Sequence, residues 1–95
     1  MKHDLFVAVL IQEGNLGDTL ISPDVVEVFE EALNWYKKNK NGLVVIEKGM
    51  QGSVAKNERF FTFDVKEKME VLLHRIYNRV IEYKVEMEKG ENITL

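Results

Sequence analysis

Ninety-five residues suffice for one hydrophobic core and are too few for two, which excludes a multi-domain reading. Hydrophobic and charged residues at 45% and 31% exclude a disordered chain, and the absence of cysteine excludes disulfide frameworks, thiolate zinc sites and cysteine nucleophiles. A net charge of −3 gives no general attraction to phosphate backbones, so nucleic-acid binding would need a local basic patch.

Residues 5–12, LFVAVLIQ, are apolar at both odd and even positions. This is the pattern of a strand with both faces covered, and a central strand is expected here. The apolar run ends at Ile11, far short of the roughly 20 residues of a membrane-spanning helix. Asp4 interrupts the short charged start and no small-residue cleavage site follows, so neither a membrane span nor a signal peptide is expected and the default location is cytoplasmic. Glycines in residues 13–18 mark a turn, after which residues 19–21 form a short return strand. Ser22-Pro23-Asp24 is a compact helix start, with Ser22 as N-cap and Pro23 at the first helical position. The helix extends to about Asn39 and presents Val25, Phe29, Ala32, Leu33 and Tyr36 on one face. Its early glutamates and late lysines suit the macrodipole.

Asn41-Gly42 stops that helix, and residues 43–46 form a second strand without a polar face. After a loop over residues 49–52, segments 53–56 and 59–65 pair around Asn57-Glu58, the latter carrying Phe60, Phe61 and Phe63. The longest element is a helix over residues 64–90. Asp64 is its expected N-cap, Glu67 completes a capping box, and Gly90 is placed to end it. Met69, Leu73, Ile76, Val80, Tyr83 and Met87 recur at alternating spacings of four and three, one apolar stripe. Residues 91–95 read as a frayed tail. The segment from Val9 to Asp18 also aligns without a gap with that from Val44 to Ser53, as two ββα halves would. The expected fold is therefore α+β: a small antiparallel or mixed sheet of three to four strands with two helices, ordered ββαββα or βαββα.

Two-faced strands and an overlong helix imply surplus apolar surface. The expected function is a non-catalytic protein-binding or regulatory module acting as a homodimer or small homo-oligomer, with Phe6, Leu10, Trp35, Tyr83 and Met87 as contact residues and a heterologous protein as a further partner. The alternative is nucleic-acid binding through Lys37, Lys38 and Lys40 together with Arg75 and Arg79, disfavoured by the acidic total.

The remaining constellations are weak carriers of chemistry. Two G-x-x-G segments, Gly14 to Gly17 and Gly49 to Gly52, could form anion-binding nests, although hairpin turns use glycine for purely steric reasons. The first differs from the phosphate-clamping loop of KH domains, because a strand precedes it and Glu13 and Asp18 flank it. His74, Arg75 and Arg79 form the best polar cluster, but no nucleophile, base and orienting group stand together. No catalytic residue, metal ligand or cofactor is assigned.

Overall fold

A computed structural model describes residues 4–50 and 57–93. In chain order they form β1 (Asp4–Gln12), β2 (Asn15–Ser22), α1 (Val25–Lys38), β3 (Leu43–Met50), β4 (Glu58–Asp64) and α2 (Met69–Ile93). The class is α+β with the ββαββα order, and the four-stranded sheet, ordered β2-β1-β3-β4, is antiparallel throughout. The predicted strand over 53–56 and Gly52 lie outside the described residues.

β1 and β2 join through a two-residue turn in which Glu13 (φ 51°) and Gly14 (φ 79°) both take positive φ, while Gln12 faces Asn15. This geometry belongs to the type I′ hairpin turn, whose twist matches that of the flanking strands. The return strand starts at Asn15, earlier than expected, because the turn, not side-chain patterning, dictates the pairing. Glutamate is a poor occupant of a positive-φ position and asparagine a good one. Glu13→Asn is therefore expected to stabilise the fold by about 0.5–1 kcal/mol, read as a raised urea midpoint with an unchanged m-value.

α1 starts two residues later than expected. Asp24, not Ser22, is the N-cap, its Oδ1 accepting from the Val26 and Glu27 amides at 2.9 and 3.4 Å. The Ser22 hydroxyl instead accepts from the Asp24 amide at 3.0 Å, orienting the cap. At the far end the Asn39 amide closes the helix on the Trp35 carbonyl.

The expected N-cap at Asp64 is overturned: half of the Asp64–Glu67 box forms, as a turn ahead of the helix, with the Glu67 amide bonded to the Asp64 carbonyl. Glu67 Oε2 accepts from the Asp64 amide at 3.3 Å, and Asp64 Oδ1 accepts from Lys66 at 2.8 Å. α2 begins only at Met69 and passes through Gly90 to Ile93, so the expected stop at Gly90 is overturned. A lone glycine costs a helix only about 1 kcal/mol and ends it only where a left-handed turn follows.

One sheet face carries both helices. Phe6, Ala8 and Leu10 of β1, Val44 and Ile46 of β3, and Phe61 and Phe63 of β4 are buried there with Val28, Phe29, Ala32 and Trp35 of α1 and Leu72 and Ile76 of α2. Consecutive Phe60 and Phe61 both reach this core because Phe60 is an extra residue: Ile46 faces Phe61 while Glu47 faces Arg59. Such a bulge suspends the strict alternation of a strand. In α2 the buried stripe is Leu72, Ile76, Val80 and Tyr83, with Leu73, Met69 and Met87 exposed. The core therefore lies one residue out of phase with the expected stripe at its N-terminal end. From Lys84 to Lys89 every residue is exposed, so the end of the helix runs past the sheet.

Candidate interaction surface

The smallest dimension of the molecule is 17 Å, the thickness of one sheet and one helix layer. The second sheet face has no layer of its own among the described residues. Register determines what occupies it. Val7 faces Ile21 and Glu47; Val9 faces Thr19 and Val45; Ile11 faces Leu16 and Leu43. With Leu5 at one end, these side chains alternate with the buried set and point away from the helices. Leu16 is 77% exposed, Ile21 59% and Leu43 41%. Leu5, Val7, Val9, Ile11 and Val45 are half-buried, shielded by one another. The rim is polar: Thr19 on β2, Thr62 on β4, and Glu47 opposite Arg59 in register.

This arrangement corrects the contact residues expected from sequence. Phe6, Leu10 and Trp35 are in the core, each no more than 4% exposed, and have no surface to offer a partner. In β1 the bare face belongs instead to their neighbours Leu5, Val7, Val9 and Ile11. Tyr83 is half-buried, set edge-on to Phe6 and Phe60 with ring centroids at 5.4 and 5.6 Å. Met87 lies exposed on the overhanging turns of α2.

Tyr83 also ties α2 to β1. Its hydroxyl donates to Asp4 Oδ2 at 2.7 Å. Burial, the hydrogen bond to Asp4 and the nearby Asp4 and Glu86 charges push its pKa up from the ordinary 10.0. A folded pKa above the unfolded one means that this contribution to stability is complete below pH about 10 and is lost as the pH rises from there toward the folded value. Tyr83→Phe should cost about 1 kcal/mol at neutral pH. Urea unfolding of the two proteins should show this gap closing above pH about 10.

Among the described residues, the glycines of the two G-x-x-G segments serve a turn and two strands. Gly14 is a turn residue. Gly17 lies in β2 opposite the Leu10 carbonyl, where an added Cβ would stand 3.1 Å from that oxygen. Gly49 lies within β3, facing Leu5, and a Cβ there would collide with the Asn57 side chain. The shallow depression at the first turn is lined by Gln12, Glu13, Asn15, Leu16, Gly17 and Asn41. There Gln12 Nε2 donates to the Asn41 carbonyl at 2.9 Å and to Asn39 Oδ1 at 3.2 Å, so its polar groups serve the turn.

The arginines of α2 are committed to the fold. Arg75 bonds Glu67 at 2.6 Å and the Thr62 carbonyl at 2.9 Å, and lies over the Phe61 ring. Arg79 bonds the Phe60 carbonyl and Glu82, each at 3.1 Å, and lies 4.0 Å from the Phe60 centroid. Both cover the backbone of edge strand β4, a position where exposed charge discourages pairing with a further strand. His74 lies exposed between Glu70 and Arg75 in an open depression. Among the described residues no three His, Asp or Glu side chains gather at metal-binding distance, and no helix is long and apolar enough to cross a membrane. No protein-family model matches this chain, and neither a curated protein nor a solved structure matches it.

Proposed function

We propose that the protein is a non-catalytic binding module that works as a homo-oligomer, with the bare face of its sheet seated against the same face of a second copy. The bare sheet face carries this reading. Four strands about 4.8 Å apart and seven residues at about 3.4 Å each give roughly 400 Å² in projection, more in accessible surface. A patch of that extent matches the largest patch on a typical monomer, and doubled it comes to about 800 Å² in projection, with the accessible surface of both copies bringing it toward the roughly 1,000 Å² of a specific interface.

Self-pairing also suits the chemistry of the face. Its centre is built of small branched residues, Val7, Val9 and Val45, which interdigitate when two sheets stack about 10 Å apart. Glu47 stands opposite Arg59, so their charges offset each other and two acidic molecules meet there without local repulsion. A two-fold operator places the same patch on both sides and closes the assembly.

Nucleic-acid binding has less support. Arg75 and Arg79 are held by carboxylates and carbonyls, and Trp35 is buried and has no ring face to stack on a base. Lys37, Lys38 and Lys40 are left as an isolated cluster at the end of α1. Light scattering behind a sizing column separates the two readings. An apolar assembly keeps its mass at high salt, whereas phosphate-driven binding weakens steeply. A monomer at all concentrations would end the homo-oligomer reading.

A further inference from the structure

α2 carries a second apolar line, separate from its buried one. Leu73, Tyr77 and Ile81 are 44%, 65% and 42% exposed, an i, i+4 ridge on one flank of the helix. At about 100° per residue, Tyr77 stands about 160° around the helix from Arg79. The ridge therefore faces away from the β4 edge that Arg79 covers. Exposed Glu70 and Lys84 terminate this flank, each seven residues from Tyr77. Glu70, Leu73, Tyr77, Ile81 and Lys84 follow spacings of three and four, which keeps them on one flank of the helix.

From this we infer that α2 is also a self-association element, pairing antiparallel with α2 of another copy about a two-fold axis at Tyr77. The charge pattern selects both the occupant and its direction. About that axis residue 77 + k meets residue 77 − k. Lys84 then faces Glu70 of the other copy, Ile81 faces Leu73, and Tyr77 faces its equivalent. A parallel pair would set Glu70 on Glu70 and Lys84 on Lys84, like charges at both ends. The antiparallel arrangement also opposes the two macrodipoles favourably. The overhanging turns from Lys84 to Lys89, exposed on every side, come to lie along the first turns of the other copy's α2. Tyrosine at the centre of the seam is a residue type that dominates interface energetics.

This inference extends the homo-oligomer reading but uses the opposite side of the molecule, so the two interfaces do not compete. Together they make a tetramer with two kinds of two-fold interface, or an open chain if the axes do not close. The chain has no cysteine, so single introduced thiols report cleanly. Tyr77→Cys is expected to give a disulfide-linked dimer on mild oxidation. Mixed Glu70→Cys and Lys84→Cys proteins should cross-link to each other, with neither doing so alone. Lys84→Glu should weaken the pairing about 5- to 10-fold at low salt, and adding Glu70→Lys should restore it.

These measurements are made both in the wild-type background and with Val9→Glu, which disables only the bare sheet face. Cross-linking that survives Val9→Glu supports the helix seam, and loss of all other assembly in that background leaves the sheet reading standing beside it. Failure of the 77–77 and 70–84 cross-links in both backgrounds, or 70–70 linkage in their place, overturns the seam. A dimer that persists in those experiments and is lost on Val9→Glu would still support the sheet interface. A cross-linked dimer whose mass is untouched by Val9→Glu would support the seam and remove the sheet interface.

Discussion

Phe6→Ala is expected to lower the free energy of unfolding by about 3–5 kcal/mol. Phe6 is fully buried in β1, a strand flanked on both sides by β2 and β3. Its ring meets Phe60 edge-on at 5.0 Å and Tyr83 at 5.4 Å. Removing it deletes transfer free energy, opens a cavity that the sheet backbone cannot close, and loosens two aromatic pairs. Against a total of about 5–15 kcal/mol for a domain of this kind, much of the stability goes. Leu16→Ala, on the bare face, should by contrast change the unfolding of the isolated chain by less than about 0.5 kcal/mol. Urea titrations at low protein concentration compare the two. A loss at Phe6 below about 1 kcal/mol would contradict its place in the core.

Val9→Glu is expected to act on assembly and leave the fold in place. Val9 lies on the bare face between Thr19 and Val45, near the centre of the proposed sheet-to-sheet contact. In a single copy the new carboxylate reaches water, and the cost is at most about 1 kcal/mol of strand propensity. In the two-fold pair it would be buried twice without a counter-charge. The dissociation constant of that contact should rise at least about 100-fold. Val45→Lys, its neighbour on β3, should do the same, which separates loss of assembly from an accident of one substitution. Unchanged mass for both variants at micromolar concentration would remove the sheet face from the assembly.

The order of the elements could be read down to two alternatives, ββαββα and βαββα, because all but β2 are written locally. The capping residues of α1, the apolar run of β1 and the helical period of residues 69–87 are signals within one segment. Facing is a relation between segments, and there the sequence is degenerate. β1 is apolar at Phe6, Ala8 and Leu10 and equally at Leu5, Val7, Val9 and Ile11, so its period of two has no phase. The pairing with β3 and the position of α1 decide which set is covered. Adjacent Leu72 and Leu73 leave the same ambiguity in α2, and the choice of Leu72 for the core is what puts Leu73 on the outer ridge. Adjacent Phe60 and Phe61 conceal a bulge that no alternation pattern reveals. β2 carries hardly any hydrophobic alternation and exists because a type I′ turn at Glu13-Gly14 folds it against β1.

The bare apolar face was legible in kind but not in its residues. Surplus apolar area follows from a strand with two apolar faces, and that much needs no structure. Phe6, Leu10 and Trp35 are not part of it, because large apolar side chains are those a core takes first. What remains outside is made of valine, isoleucine and leucine on paired strands, whose individual exposure says little and whose contiguity says more. The helix seam was partly visible as an overlong amphipathic element. Its decisive feature, the opposed charges of Glu70 and Lys84 about Tyr77, gains meaning only when Tyr77 is known to face outward.

The most direct measurement is an isotope-filtered NOE experiment on a mixture of methyl-labelled and unlabelled copies. Cross-peaks between copies are expected from the methyl groups of Val7, Val9 and Val45, retained at high salt and absent in Val45→Lys. An assembled protein in which those methyls show contacts only within their own chain would contradict the sheet-to-sheet contact.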